Sequence, residues 1–362
     1  MPKPSIDWLL IFVPVTLLLK YTQPDAHIAI FSTACLAIIP LAGWLGHATE
    51  HLAARTNEAV GGLLNATFGN AAELIIALIA LQKGLHGVVK ASLTGSIIGN
   101  VLLVLGAACL GGGLKFKMLR FNASGARSQA SMLTLAAIAL ILPAVFHYLG
   151  GPAARSKEAG LSLEICAVLI ITYFASLVFT LHTHRQLFES SAEVEKVHDD
   201  AAPWTTRKSF GILLLSTALV AWMSEVLVGS VEHAAHALGM TSVFVGVIVV
   251  AIVGNAAEHS TAILMAMKNR MDLALGIAVG SSLQIALFVA PVLVLASYAI
   301  GPHPMDLVFT PAEVVAVVLA VAITGQISGD GESHWLEGIQ LLAVYIILGI
   351  MFYFLPEGEF SH

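Results

Sequence analysis

Apolar runs of about 20 residues recur from one end of the chain to the other between short polar segments, and each can cross a bilayer core of about 30 Å. The runs predict eleven helices, near residues 6–20, 26–54, 58–82, 85–112, 128–149, 160–184, 208–238, 241–268, 272–299, 308–327 and 334–355. The opening MPKPSIDWLLIFVPVTLLLK has a basic residue and a short apolar run like a signal peptide, but no small-residue cleavage site follows, so it reads as the first helix. Hydrophobic residues make up 57% and charged residues 11% of the 362 positions, against about 25% charged in soluble domains, which leaves little chain for a soluble domain. The expected class is an all-α polytopic membrane protein.

One hydrophilic stretch, HTHRQLFESSAEVEKVHDDAAPWTTRK (182–208), divides the chain into halves. The expected organisation is a first helix at 1–25, one repeat at 26–185, an acidic linker at 186–207 and a second repeat at 208–362. Glu189, Glu193, Glu195, Asp199 and Asp200 either concentrate cations near a cytoplasmic mouth or simply keep the linker solvated. The net charge of −6, with its acids gathered in loops, gives no sign of a nucleic-acid partner. Cys35, Cys109 and Cys166 lie in apolar runs without metal-like spacing and read as small core residues. A cytoplasmic N-terminus puts 12 of the 17 basic residues on the cytoplasmic side, as the positive-inside rule requires, and an odd number of helices then leaves the C-terminus outside.

Against this apolar background, GNAAELIIALIAL starts at Gly69 and GNAAEHSTAILMA at Gly254, 185 residues later. The register holds beyond the motif: Lys83 matches Lys268, and Gly95-Ser96 matches Gly280-Ser281. Upstream, Glu50-His51 answers Glu232-His233 after a three-residue shift. The first motif lies on the third helix and its copy on the eighth, so the copies cross the membrane in opposite directions. The fold is therefore expected to be a first helix followed by two inverted five-helix repeats, an architecture characteristic of secondary transporters.

Each copy places one glutamate, Glu73 or Glu258, in an apolar helix with no Lys or Arg beside it. Such a carboxylate needs a partner, a wet cavity or a proton. Two of them brought together are neutralised equally by one divalent cation or by protons, whereas the empty, doubly charged site crosses at a penalty, and that difference enforces exchange. The expected ligands are Glu73, Glu258, Asn70 and Asn255, with carbonyls freed where Gly69 and Gly254 loosen their helices. Hard oxygen donors suit Ca²⁺. On the following helices Ser96, Asn100, Ser281 and Gln284 either line the path or bond between helices. His259 either passes protons or packs as a hydrogen-bonded histidine, and Glu313, after Pro311, reads as an acid at a helix start.

The stretches WLGHATEHLAARTNEAVGGLLN, ATFGNAAELIIALIAL and VVAIVGNAAEHSTAILMAMKNRMDLALGIAVGSSLQIALFVAP closely resemble the Ca²⁺/H⁺ exchanger family of the cation/Ca²⁺ exchanger superfamily. The resemblance implies eleven helices with inverted five-helix repeats after the first and an acidic segment between the halves. It makes Glu73 and Glu258 the central Ca²⁺- and proton-binding carboxylates, with Asn70 and Asn255 as neighbours and Ser281 and Gln284 along the pathway. It also implies that the long helices carrying Glu50 and Glu232 move, with Glu50, and less strongly Glu225 and Glu232, as relay or guide residues; a plain interfacial role stands equally open for these three. GNAAE cores in place of the Thr-Ser-rich motifs of sodium-coupled relatives favour proton coupling. The lack of a long plant-type N-terminal extension points to a prokaryotic form in the plasma (inner) membrane.

The implied activity is secondary antiport of cytosolic Ca²⁺ for protons by alternating access, with no cofactor and no enzymatic step. Mn²⁺ and other divalent cations stand as further cargo, and homo-oligomers and membrane lipid as partners. The alternatives are a cation channel, a Na⁺-coupled Ca²⁺ exchanger and, remotely, an intramembrane zinc protease, since HATEH (His47–His51) fits H-x-x-E-H. The second copy, GSVEH, has Gly229 where His47 stands and so lacks a ligand. Impermeant labelling of tagged termini in oriented vesicles should reach the N-terminus only from the cytoplasmic side and the C-terminus only from the opposite side; label reaching both ends from one side contradicts the odd helix count.

Overall fold

The computed structural model describes residues 6–56, 61, 64, 67–188 and 204–356. A 3-10 segment, Ile6–Ile11, leads into α1 (Phe12–Thr22), followed by α2 (His27–Ala53), α3 (Ala71–Gln82), α4 (His86–Lys115), α5 (Ala123–Arg155) and α6 (Glu158–Thr183). The second half supplies α7 (Thr206–Ala237), α8 (Ser242–Met267), α9 (Met271–Ser297), α10 (Pro311–Ile327) and α11 (Trp335–Phe354). Eight of these are long and apolar enough to cross a membrane, and α3 and α10 are shorter apolar helices. The linker acids Glu189, Glu193, Glu195, Asp199 and Asp200 lie outside the described residues.

Local chemistry sets the helix ends. Thr205 caps α7 by accepting from the Lys208 N–H at 3.3 Å. At α10, Thr310 and Glu313 form a reciprocal capping box, and Pro311 supplies the first-turn position where no N–H is needed. The α3–α4 turn passes through Gly84 at φ 75°, and the α8–α9 turn passes through Asn269 at φ 61°. These positions are again 185 residues apart, so the repeat reproduces a left-handed turn that glycine or asparagine adopts at least cost.

The chain forms two compact units, each drawn from both halves of the sequence. The first takes residues 1–92, 203–257 and 352–362. In it α2 and α7 pack along one another. His27 stacks on His233 at one end, with ring centroids 4.4 Å apart, and His51 stacks on Trp204 at the other, at 4.7 Å, so the pair runs antiparallel over its full length. Lys83, at the end of α3, donates through Nζ to the Glu225 carbonyl at 3.2 Å. A Cβ at Gly229 would meet that ammonium at 3.2 Å, which gives a steric reason for glycine at the position equivalent to His47.

The second unit takes residues 93–202 and 258–351. There β1 (Leu119–Arg120) and β2 (Glu332–Ser333) pair antiparallel, joining loops separated by six helices. An even number of crossings puts such loops on one side of the membrane, so the pairing agrees with alternating topology. The same holds for Lys115 Nζ on the Met267 carbonyl at 3.0 Å and the Asn122 N–H on Asp272 Oδ1 at 2.7 Å, across four helices. Helices α4 and α11 meet through glycines. A Cβ on Gly338 would strike the backbone of Leu110 and the Gly106 carbonyl, and one on Gly106 would meet Leu341 Cβ at 3.0 Å.

Gly338→Ala should therefore lower the melting temperature in detergent, at an overpacking cost of about 1–3 kcal/mol. Gly276→Ala, with no atom within 4 Å of the added carbon, should leave it unchanged or raise it. Equal melting temperatures for the two variants contradict the close backbone approach of α4 and α11.

Candidate functional site

The two motif copies fold differently. In the first, Gly69 and Asn70 form a turn, and α3 starts afresh at Ala71 with Asn70 as its buried N-cap residue (φ −102°, ψ 28°). Glu73 thus falls in the first turn of a short helix, where the exposed N–H groups favour negative charge by about 0.3–1 kcal/mol. The second copy runs unbroken: Gly254, Asn255 and Glu258 all lie inside the α-helical part of α8, Ala251–Met267, downstream of a π turn at Val245–Val250. The expectation that both glycines loosen their helices therefore holds only for Gly69.

The physical use of Gly254 is lateral approach. A Cβ there would meet Glu73 Cγ at 3.1 Å and Oε1 at 3.4 Å, so the absent side chain makes room for the carboxylate. The buried Asn255 folds its amide back, with Nδ2 donating to the Ala251 carbonyl at 2.9 Å. Asn70 and Glu73 are accordingly an N-cap residue and a first-turn residue, whereas Asn255 and Glu258 share one face of a continuous helix.

Glu73 belongs to the first unit, together with Asn70, Gly254 and Asn255. Glu258 is a residue of the second unit, with Ser96, Asn100, His259, Ser281 and Gln284. Both glutamates are half-buried, and each has its Oε2 fully shielded from solvent. Within the second unit His259 Nε2 lies 3.2 Å from Asn100 Oδ1, which makes His259 a hydrogen-bonded histidine between α8 and α4. Ser96, Asn100 and Ser281 are buried, and Gln284 is half-buried.

Asn100 lies in a feature that no residue pattern signals. Helix α4 takes a π turn over Gly99–Val104, and α9 takes one over Ile285–Val289. Shifted by the repeat offset of 185, the first coincides with the second to within one residue. Ser282 Oγ lies 3.3 Å from the Ile97 carbonyl of α4 and 3.1 Å from the Ala278 carbonyl of its own helix, and Ile97 and Ser282 are also repeat equivalents. π turns recur at functional sites because they re-aim side chains and release backbone carbonyls.

Glu50, Glu225 and Glu232 are all exposed. Glu50 pairs with His47 at 3.5 Å, both side chains more than 60% accessible. In HATEH, His47 faces Glu50 while His51 stacks on Trp204, so the two histidines are engaged in separate contacts. Glu313 is buried at the start of α10, where its Oε2 accepts from Thr310 N–H at 2.9 Å and Thr310 Oγ1 at 2.8 Å, and its Oε1 from Thr94 Oγ1 at 3.3 Å.

Comparison with known proteins places the whole chain in context. The family described as sodium/calcium exchanger protein matches residues 26–182 and 208–354. A Ca²⁺/H⁺ antiporter of Aphanothece halophytica is 49% identical over 96% of each chain. The Ca²⁺/H⁺ antiporter ChaA of Bacillus subtilis is 47% identical over 90% of this chain and 92% of its own. The solved structure of native YfkE superposes with a TM-score of 0.83 at 43% identity, covering 97% of this chain and 100% of that one.

Proposed function

This chain belongs to the sodium/calcium exchanger protein family, and we propose that it is a secondary antiporter that exchanges Ca²⁺ for protons by alternating access. The observation that carries this reading is the seat of Glu73, a carboxylate at the start of a broken membrane helix, packed onto the glycine of the other repeat's motif. Close relatives that match this chain over 90% or more of its length are Ca²⁺/H⁺ antiporters, which favours proton coupling over Na⁺ coupling or a channel.

In the mechanism, Glu73 and Glu258 are the groups that take Ca²⁺ or protons, with Asn70, Asn255 and the Gly69 carbonyl as neutral oxygen donors. Ca²⁺ cancels two carboxylate charges, and so do two protons. The unloaded pair stays charged, and a charged side chain at a helix centre costs about 2.5–3.5 kcal/mol on insertion scales, so the empty carrier changes sides slowly. Ser96, Asn100, Ser281 and Gln284 shape the path, and His259 acts through its hold on Asn100. The exposure of Glu50, Glu225 and Glu232 supports a place at the mouths, guiding cations and protons as α2 and α7 move. The protein sits in a prokaryotic plasma membrane with its N-terminus cytoplasmic and exports Ca²⁺ on the inward proton gradient; Mn²⁺ competes for the same oxygen donors.

In vesicles loaded at acid pH, the purified protein should accumulate Ca²⁺ against its gradient as protons leave, and Glu73→Gln or Glu258→Gln should abolish that uptake. Ca²⁺ flux that only dissipates its own gradient contradicts antiport. Gly254→Ala, which crowds Glu73, should weaken Ca²⁺ affinity about tenfold, within the usual cost of overpacking. Gly280→Ala, which meets nothing within 4 Å, should bind like the wild type. Calorimetric titration distinguishes them, and equal affinities contradict the assigned role of Gly254.

A further inference from the structure

The π turn of α4 has a consequence for its own hydrogen bonding. In an α-helix the N–H of Leu105 would serve the carbonyl of Val101, four residues back. Here it reaches the carbonyls of Asn100 and Leu102 instead. The Val101 carbonyl accepts from a different helix: Thr324 Oγ1 of α10 donates to it at 3.3 Å. Both residues are completely buried, at 0% exposure.

Thr324 does not bond back to its own helix, and with Thr94 of α4, which donates to Glu313 at 3.3 Å, it ties α4 to α10. Membrane-helix hydroxyls ordinarily bond back to their own helix. Thr16 donates to Phe12, Thr49 to Leu45, Thr172 to Val168 and Thr217 to Leu213. Thr324 reaches across to α4, at the one carbonyl that Leu105 passes over. A buried carbonyl deprived of a donor is costly, so the hydroxyl favours the π register over the regular α register.

That register bears on the carboxylate site. Val101 directly follows Asn100, whose Oδ1 faces His259 Nε2 at 3.2 Å, and His259 directly follows Glu258. Removing the extra residue of a π turn rotates one half of a helix by about 100° relative to the other, enough to carry Asn100 off His259. We infer that Thr324 is a positioning residue for cation exchange: its hydroxyl holds the π turn of α4, and the π turn holds Asn100 against His259 beside Glu258. The inference rests on the antiport reading and adds to it a residue on α10 that touches neither cargo nor carboxylate.

The test compares wild type, Thr324→Val and Thr324→Ser in acid-loaded vesicles, with initial Ca²⁺ uptake measured over a range of Ca²⁺ concentrations. Valine keeps the branched shape without the donor, whereas serine keeps the donor. Thr324→Val should raise the KM for Ca²⁺ about tenfold, as expected for an abandoned buried acceptor. Its maximal rate should stay within about twofold of wild type, and Thr324→Ser should restore the KM. A Thr324→Val profile that overlays wild type, equal losses in both variants, or a lower maximal rate at unchanged KM overturns the assignment and leaves antiport intact. A wild-type protein that accumulates no Ca²⁺ overturns the antiport reading, and this inference with it.

Discussion

The rest of the structure depends on the cost of holding a carboxylate charge in a low-dielectric interior. In water a glutamate's charge is solvated at little expense, whereas inside a membrane it must be matched by a cation, a proton or polar groups fixed in place. The chain supplies such groups sparingly. It breaks one helix at Gly69–Asn70, so that Glu73 sits at a helix start, and it leaves out a side chain at Gly254 so that the carboxylate has room. The positive ends of the backbone dipoles at the start of α3 offset part of the charge at Glu73. In the proposed exchange, a carboxylate seated in this way takes either a cation or a proton to complete its neutralisation.

The two motif copies show how a repeated sequence meets this constraint with two local geometries. GNAAE is a turn followed by a helix start in one copy and an uninterrupted helix in the other. What the copies share lies one helix further on, where α4 and α9 carry π turns at equivalent positions and touch through Ile97 and Ser282. In the same unit Gly106 and Gly338 bring the backbones of α4 and α11 together, and His259 meets Asn100 of α4.

Much of this architecture was legible in the residues. Helix number and approximate bounds follow from apolar run length, because a bilayer fixes how many residues a crossing needs. The inversion follows from parity once GNAAE is found twice. Glu73 and Glu258 are conspicuous because charge is rare in such helices. The break at Gly69 against the continuity at Gly254 was not legible, since identical pentapeptides precede both outcomes and tertiary packing decides between them. The π turns have no composition of their own, and Thr324 sits in VVLAVAITGQI, where a single threonine looks like any back-bonded hydroxyl of an apolar helix. Its significance comes only from the carbonyl that it meets.

The central claim is that Ca²⁺ and protons exchange places on the same carboxylates, and the most direct measurement is the pH of a sealed compartment. Vesicles holding the purified protein, prepared with equal pH inside and out and a pH-sensitive dye in the lumen, receive a pulse of external Ca²⁺. Exchange predicts that the lumen turns alkaline as Ca²⁺ enters and that vesicles carrying Glu73→Gln or Glu258→Gln show no change. Ca²⁺ entry into wild-type vesicles at constant lumenal pH, with membrane potential clamped, would contradict the account.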